Sequence, residues 1–189
     1  RSTKAIKKRI FQEQRLRDLG IHQLEVEMSN VTYVTDAMNE ARGLWTDTRT
    51  SPPIALSDIR KWAMATYWPE TPPKIYWDDD YAKETRWAGI IAPPDFNPFA
   101  WMIERPKGTG IPQPEKPDGG NLTGMNGGQT DTYGVPMRPE DVITSRSRLV
   151  DWHEREGRLG WTLYVTSEVE WRNQNSDLVR KRMSISVRY

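Results

Sequence analysis

Residues 87–102 read WAGIIAPPDFNPFAWM. Ile90 and Ile91 run into two consecutive prolines, Pro93 and Pro94. Proline locks its own φ and pushes the preceding residue toward extended backbone, so 90–94 is expected to form a stiff extended elbow. Asp95 then begins DFNPFAWMIE (95–104), a mostly apolar run. Aspartate is a frequent helix-start residue, and Pro98 falls in the first turn, where amides have no intrahelical acceptor to lose. The pattern therefore predicts a short apolar helix beginning at Asp95, with Ala100, Trp101 and Ile103 adding bulk inside the domain.

Upstream, the chain reads as helices. YWDDDYAKETRWAG (76–89) predicts a short helix capped by Asp78, with Asp79 and Asp80 in the first turn near the positive helix end and Gly89 as its stop. ALSDIRKWAMATY (55–67) predicts another, with Ser57 as its cap and Leu56, Ile59, Trp62, Ala63 and Tyr67 on one face. WPETPP (68–73) ends it. Thr35 or Asp36 can cap a short helix through AMNEARGL (37–44). The basic stretch TKAIKKRIFQEQRLRDL (3–19) has no proline or glycine before Gly20 and reads as a surface helix.

Downstream, RPKGTGIPQPEKPDGGNLTGMNGGQT (105–130) has no periodicity and reads as a long loop, a kind of segment that is usually functional or disordered. From Thr132 the pattern turns to strand. VITSRSRLVDW alternates, HEREGRLG reads as a turn, WTLYVTSEVEW is a strong strand, NQNSD is a second turn and LVRKRMSISVRY is a final strand. Helices followed by antiparallel strands define an α+β pattern.

The composition narrows the function classes. The 189 residues suit one domain with an extension, divided here into 1–48 and 49–189. A hydrophobic share of 36% is low, and nine tryptophans partly compensate because each buries a large area. With 27 basic and 26 acidic residues, the formal charge of +1 argues against a nucleic-acid footprint. There is no cysteine, so disulfides, thiolate catalysis and cysteine-held metal are excluded. Two histidines, His22 and His153, cannot build a three-histidine metal site, and no metal site is expected. The sequence contains no apolar run long enough for a membrane span and no signal-peptide pattern, which predicts a cytoplasmic protein.

Four segments together, SDIRKWAMA (57–65), YWDDDYAKETRWAGIIAPPDF (76–96), LTGMNGGQTDTYGVPMRPEDVI (122–143) and GRLGWTLYVTSEVEWRNQNSDLVRKRMSISVRY (157–189), resemble the MaoC-like dehydratase/hydratase family, and most closely its N-terminal fatty-acid-synthase-type dehydratase subgroup. The resemblance implies a hotdog fold: an antiparallel sheet wrapped around a central helix, here the one beginning at Asp95, with the four closing strands within 130–189 and an extra N-terminal helical segment. Active members of the family hydrate or dehydrate enoyl thioesters with an aspartate and a histidine that orient water and shuttle its proton. Matching WDDDYA (77–82) to the family's helix start puts Tyr76 where the histidine belongs. The aspartate position falls on Thr71, with Glu70 just before it.

The resemblance implies a component of an enoyl-thioester hydratase or dehydratase that lacks the dyad. Its substrate is a coenzyme A or acyl-carrier thioester, with no tightly bound cofactor. It works as a homodimer or as a heteromer with a dyad-bearing MaoC-like subunit. The alternative is an acyl-thioester-binding or scaffolding protein without chemistry. Glu70 is the candidate lone base, provided burial raises its pKa. Tyr76 is a candidate hydrogen-bond donor in a pocket, or an aromatic packed on Trp77 or Trp87. Ala92 to Asp95 offers helix-start amides for the thioester oxygen. Asn126, Gly127 and Gly128 sit where such enzymes present a loop before the first long strand, as ligand contacts or as turn formers. Arg172, Arg180 and Arg182 are candidates for coenzyme phosphates or solvated strand faces. His153 reads as a turn-exposed side chain.

Overall fold

The computed structural model describes residues 31–46, 48–103 and 108–189. The helix expected over 3–19, and His22, lie outside the described residues. A five-stranded antiparallel sheet carries the fold, built from β1 (Arg49–Thr50), β2 (Gly124–Tyr133), β3 (Thr144–Gly157), β4 (Gly160–Arg172) and β5 (Leu178–Arg188) in the spatial order β1-β3-β4-β5-β2. This is the antiparallel sheet that the sequence led us to expect.

Strands β3 to β5 form a meander. β3 and β4 meet at Gly157 and Gly160 across a two-residue turn, with Gly160 in the left-handed region at φ 82°. The turn after β4 is organised by Asn173, whose Oδ1 accepts from the amides of Asn175 (3.0 Å) and Asp177 (2.9 Å). The segment HEREG, read from sequence as a turn, continues β3. Within it His153 stacks on its cross-strand partner Tyr164, ring centroids 4.6 Å apart.

β2 also begins earlier than the sequence suggested, at Gly124, in the middle of what read as loop. Asn126, Gly127 and Gly128 are therefore strand residues at the exposed sheet edge, where a bulge interrupts the pairing with β5 between Asn126 and Gly128. The side chain of Asn126 accepts from the Gly128 amide at 2.9 Å, and Gly128 has φ 133°. A Cβ at Gly127 would lie 2.9 Å from Val187. Glycine fits both positions because the bulge needs one unusual torsion and one close approach.

Among the described residues, three α-helices flank the sheet. α1 (Asp36–Ala41) is capped by Thr35, whose hydroxyl accepts from the Met38 amide at 3.2 Å. α2 (Leu56–Tyr67) buries Ile59 and Ala63, with Trp62 and Tyr67 packed partly on the same side. Its start departs from expectation. Ser57 is inside the helix, and Ala55 holds the cap position with no side-chain bond. α3 (Asp79–Glu84) is capped by Asp78 as its sequence predicted, the carboxylate accepting from the Tyr81 amide at 3.1 Å. No helix among the described residues is long and apolar enough to cross a membrane.

The expected central helix at Asp95 does not form. Residues 94–101 make two successive turns, closed by Phe96 N–H to Pro93 C=O (3.0 Å) and Ala100 N–H to Asn97 C=O (3.1 Å). The reason lies in Asn97-Pro98. A residue before proline is pushed out of the helical region, which breaks the run at its third residue. Asn97 then turns its side chain back to accept from the Phe99 amide at 3.0 Å, an alternative to helix for the backbone.

Apolar residues gather in two clusters. The larger joins α2 (Ile59, Ala63), the elbow (Ile90, Ile91, Ala92, Phe96) and the sheet side (Ile143, Trp171, Val179). Phe96 and Ile59 are almost wholly buried, each contributing roughly 1.5–3 kcal/mol by area. The smaller cluster packs Tyr33 and Met38 on Leu149, Leu163 and Val165, so residues 31–38 lie against β3 and β4.

Candidate functional site

The elbow behaves as the prolines dictate. Ile90, Ile91 and Ala92 are buried, and the Ala92 amide donates to the Met137 carbonyl at 2.8 Å. Pro93 and Pro94 have no amide hydrogen. The free helix-start amides expected over Ala92–Asp95 are therefore not available as a set: Ala92 is engaged, and no helix begins at Asp95, which is exposed.

Opposite the elbow, the chain leaves β2 at Tyr133 and continues the ladder for two more residues. Gly134 N–H reaches Val179 C=O (3.0 Å) and Val135 N–H reaches Leu178 C=O (2.9 Å). The following loop is fastened at both ends. The Arg138 guanidinium donates to the Trp87 carbonyl at 2.7 Å, while the Arg138 amide donates to the buried Asp141 carboxylate at 2.7 Å. Asp141 in turn accepts from Gln174 at 2.9 Å, tying the loop to the β4–β5 turn. No sequence signal singled out Arg138 or Asp141, because their importance lies in contacts with residues distant in the chain.

Between elbow and loop opens a cleft of about 300 Å3, lined by residues 91–94, residues 133–137, Tyr76, Trp87, Val179 and Arg180. Its walls are mostly apolar. Tyr76 stands on the short 3-10 turn Lys74–Tyr76 and is buried. Burial, reinforced by its hydrogen bond with Tyr67, pushes its phenol up to about 12. It is a neutral hydroxyl at physiological pH. No carboxylate or imidazole lines this cleft among the described residues.

Glu70 is exposed, follows the end of α2 and does not line the cleft. Thr71 lines a separate shallow hollow with Arg60, Met64, Pro72 and Trp77. Asn126, Gly127 and Gly128 lie farther along β2 and do not line the cleft either. Of the residues the sequence nominated, the structure thus brings Tyr76, Ala92 and Arg180 together; Asp95 does not line the cleft but acts on Tyr76 and Arg180 through space, and Glu70, Asn126, Gly127 and Gly128 lie outside.

The three nominated arginines separate as well. Arg172 donates through Nε (2.8 Å) and Nη2 (3.0 Å) to Glu170, and Arg182 through Nε (2.7 Å) and Nη2 (2.6 Å) to Asp131. Arg180 lies over the Trp171 ring, 3.7 Å from its centroid. Burial, and the neighbouring Arg182, pull its guanidinium below its usual value. Trp171 also lines a second hollow of about 380 Å3, with Phe99, Ser145 and Ser147, on the side where the expected helix is replaced by turns.

Comparison with known proteins places this geometry. Residues 40–182, well over half of the chain, match the model of the FAS1-like dehydratase domain region. No curated protein matches the chain in sequence. Among solved structures, it is similar to a chain of the ChsH1-ChsH2 complex from Mycobacterium tuberculosis, at 20% identity and a TM-score of 0.62, covering 80% of this chain and 88% of that one. A MaoC-like dehydratase from Rhodospirillum rubrum matches at 15% identity and TM-score 0.51, covering 75% and 89%. The C-terminally truncated HadBC (3R-hydroxyacyl-ACP dehydratase) complex from Mycobacterium tuberculosis matches at 15% and 0.50, covering 78% and 96%. At these identities the likeness is one of fold, and the fold is the hotdog. The sheet order, the proline elbow and the family match lead to one conclusion: this chain belongs to the FAS1-like dehydratase-region family.

Proposed function

We propose that this chain is a component of an enoyl-thioester hydratase or dehydratase, acting as the subunit that lacks the aspartate–histidine pair. The observation that carries the reading is the chemistry of the cleft. It is an apolar recess whose buried Tyr76, raised to about 12, holds its proton, and no carboxylate or imidazole lines it among the described residues. Adding water across an α,β double bond needs a base within hydrogen-bond reach of the water. A phenol that keeps its proton can donate a hydrogen bond but cannot accept water's proton. The cleft is suited to holding an acyl chain, while a partner supplies the base.

Two of the similar structures are heteromeric, the ChsH1-ChsH2 and HadBC complexes, which supports assembly with a dyad-bearing MaoC-like subunit. In this reading the ligand is an acyl-CoA or acyl-carrier thioester that serves as substrate, with no tightly bound cofactor. The partner's aspartate and histidine orient and deprotonate water, its oxygen bonds to the β-carbon as the α,β π bond breaks, and the proton goes to the α-carbon. This chain's share is the wall of the acyl site, with Tyr76 and the elbow fixing its shape.

The test is native mass together with hydration of a short enoyl-CoA panel, by the pure chain and after mixing with a co-purifying hydratase subunit that carries the dyad. Activity that appears only in the mixture supports the reading. Turnover by the pure chain overturns it.

A further inference from the structure

Among the described residues, Arg180 has no acid in direct contact. It lines the cleft, is half-buried and lies over Trp171, yet among the described residues it donates no hydrogen bond and forms no ion pair. Its neighbours on the strand ladder are matched: Arg182 takes both oxygens of Asp131, and Arg172 takes both oxygens of Glu170. The groups that act on Arg180 through space are Arg182, Asp131, Tyr133 and Asp95. Removing a cation from water without a partner is costly, so such groups are normally paired. Among the described residues, no acid meets its guanidinium at the recess.

We propose that Arg180 binds a carboxylate carried on the acyl portion of the thioester, so that the cleft selects acyl groups ending in an acid over neutral ones of the same length. The proposal rests on the thioester reading above and deepens it by naming the substrate class. Three features favour a carboxylate over a coenzyme phosphate. The recess offers one cation, which balances one negative charge and not the greater charge of a pyrophosphate. About 300 Å3 accommodates a short acyl chain and not a nucleotide. The walls beside the cation are apolar (Ile91, Val135, Val179), which strengthens a single charge pair by excluding water. Stacking on Trp171 holds the guanidinium plane in place before the ligand arrives, so little ordering remains to be done on binding.

The test uses the full chain and thioesters of N-acetylcysteamine, which carry no phosphate, with tryptophan fluorescence as the readout. Monosuccinyl and butyryl thioesters differ in the terminal acid and little in length. The wild type is expected to bind the succinyl form at least 10-fold more tightly. In Arg180→Met that preference is expected to fall to about 1, with the butyryl affinity within 2-fold of wild type. In Arg180→Lys, which keeps the charge but loses the fork, part of the preference is expected to remain. Retained butyryl binding in the Met variant doubles as the check that it is folded. Butyryl binding without a succinyl preference overturns the Arg180 assignment and leaves the thioester reading intact. A preference that survives in Arg180→Met also overturns it. Binding of neither N-acetylcysteamine thioester, with coenzyme A bound by the wild type and that binding lost in Arg180→Met, overturns the carboxylate assignment in favour of a phosphate contact and leaves the thioester reading intact.

Discussion

Gly134 passes so close to Leu178 that a methyl group on its α-carbon would overlap the Leu178 carbonyl oxygen. This contact is where β2 gives way to the loop lining the cleft, and the next amide, Val135 N–H, donates to that same carbonyl at 2.9 Å. Gly134→Ala forces the two backbones apart. We expect a loss of more than about 2 kcal/mol of stability, a size associated with overpacking against immovable neighbours. Urea denaturation of the variant beside the wild type measures it. An unchanged midpoint would show that the loop yields without cost.

Glu170 accepts from Arg172 and Arg146 and is buried beneath them. The hydrogen bond from Arg172, then that from Arg146, hold its carboxyl below the ordinary glutamate value, against the opposing pull of burial. A carboxylate with a depressed folded pKa stabilises the fold above its unfolded value, and that contribution fades as the pH falls through the folded one. Stability is therefore expected to decline below about pH 4.3. Glu170→Gln should cost about 2 kcal/mol at pH 7 and flatten the acid limb. Urea midpoints from pH 3 to 7 for both proteins decide it.

The Tyr76 phenol gives the opposite slope at the alkaline end. Its pKa is raised by burial to about 12, so the unfolded chain loses this proton first as the pH rises past about 10. The fold should lose stability between those values, and Tyr76→Phe should remove that part of the decline. The same variant addresses function. With Tyr76 as a wall residue, the hydration rate of the proposed heteromer should stay within about 3-fold of wild type, whereas loss of a general acid or base costs 100-fold or more.

Glu70 is exposed and outside the cleft. Glu70→Gln is accordingly expected to leave both stability and the hydration rate of the proposed heteromer unchanged within error. A fall of 100-fold in kcat at constant KM would restore Glu70 as the base.

Local signals in the sequence were reliable where the physics is local. Asp78 and Thr35 cap helices because a short polar side chain reaches an amide three residues on, and both positions can be read from the sequence. The alternation in WTLYVTSEVEW marks β4 because one face must be buried. Misreadings arose where two local rules compete or where the partner is distant. At Asp95 the helix-start signal meets Asn97-Pro98, and the proline prevails. At Gly124–Gly128 a glycine-rich strand lacks the alternation that announces a strand, since both its faces are exposed. The pairing of β2 with β5 is settled by a ladder some fifty residues away in the chain. The cleft was half legible. The elbow and Tyr76 were visible, but the Arg138–Trp87 and Asp141–Gln174 ties depend on contacts that no spacing in the sequence encodes.

The meander of β3, β4 and β5 is joined by short turns, whereas β1 must find β3 from the far side of the elbow and the long loop. Closing a short loop costs less entropy than closing a long one, so the meander is expected to assemble before its outer strand docks. The elbow belongs to the late part, and the cleft comes into being only when early and late parts meet. Substitutions such as Ile91→Val should then speed unfolding and leave the folding rate nearly unchanged, while Val165→Ala on β4 should slow folding. The chain thus acquires its framework first and its recess last.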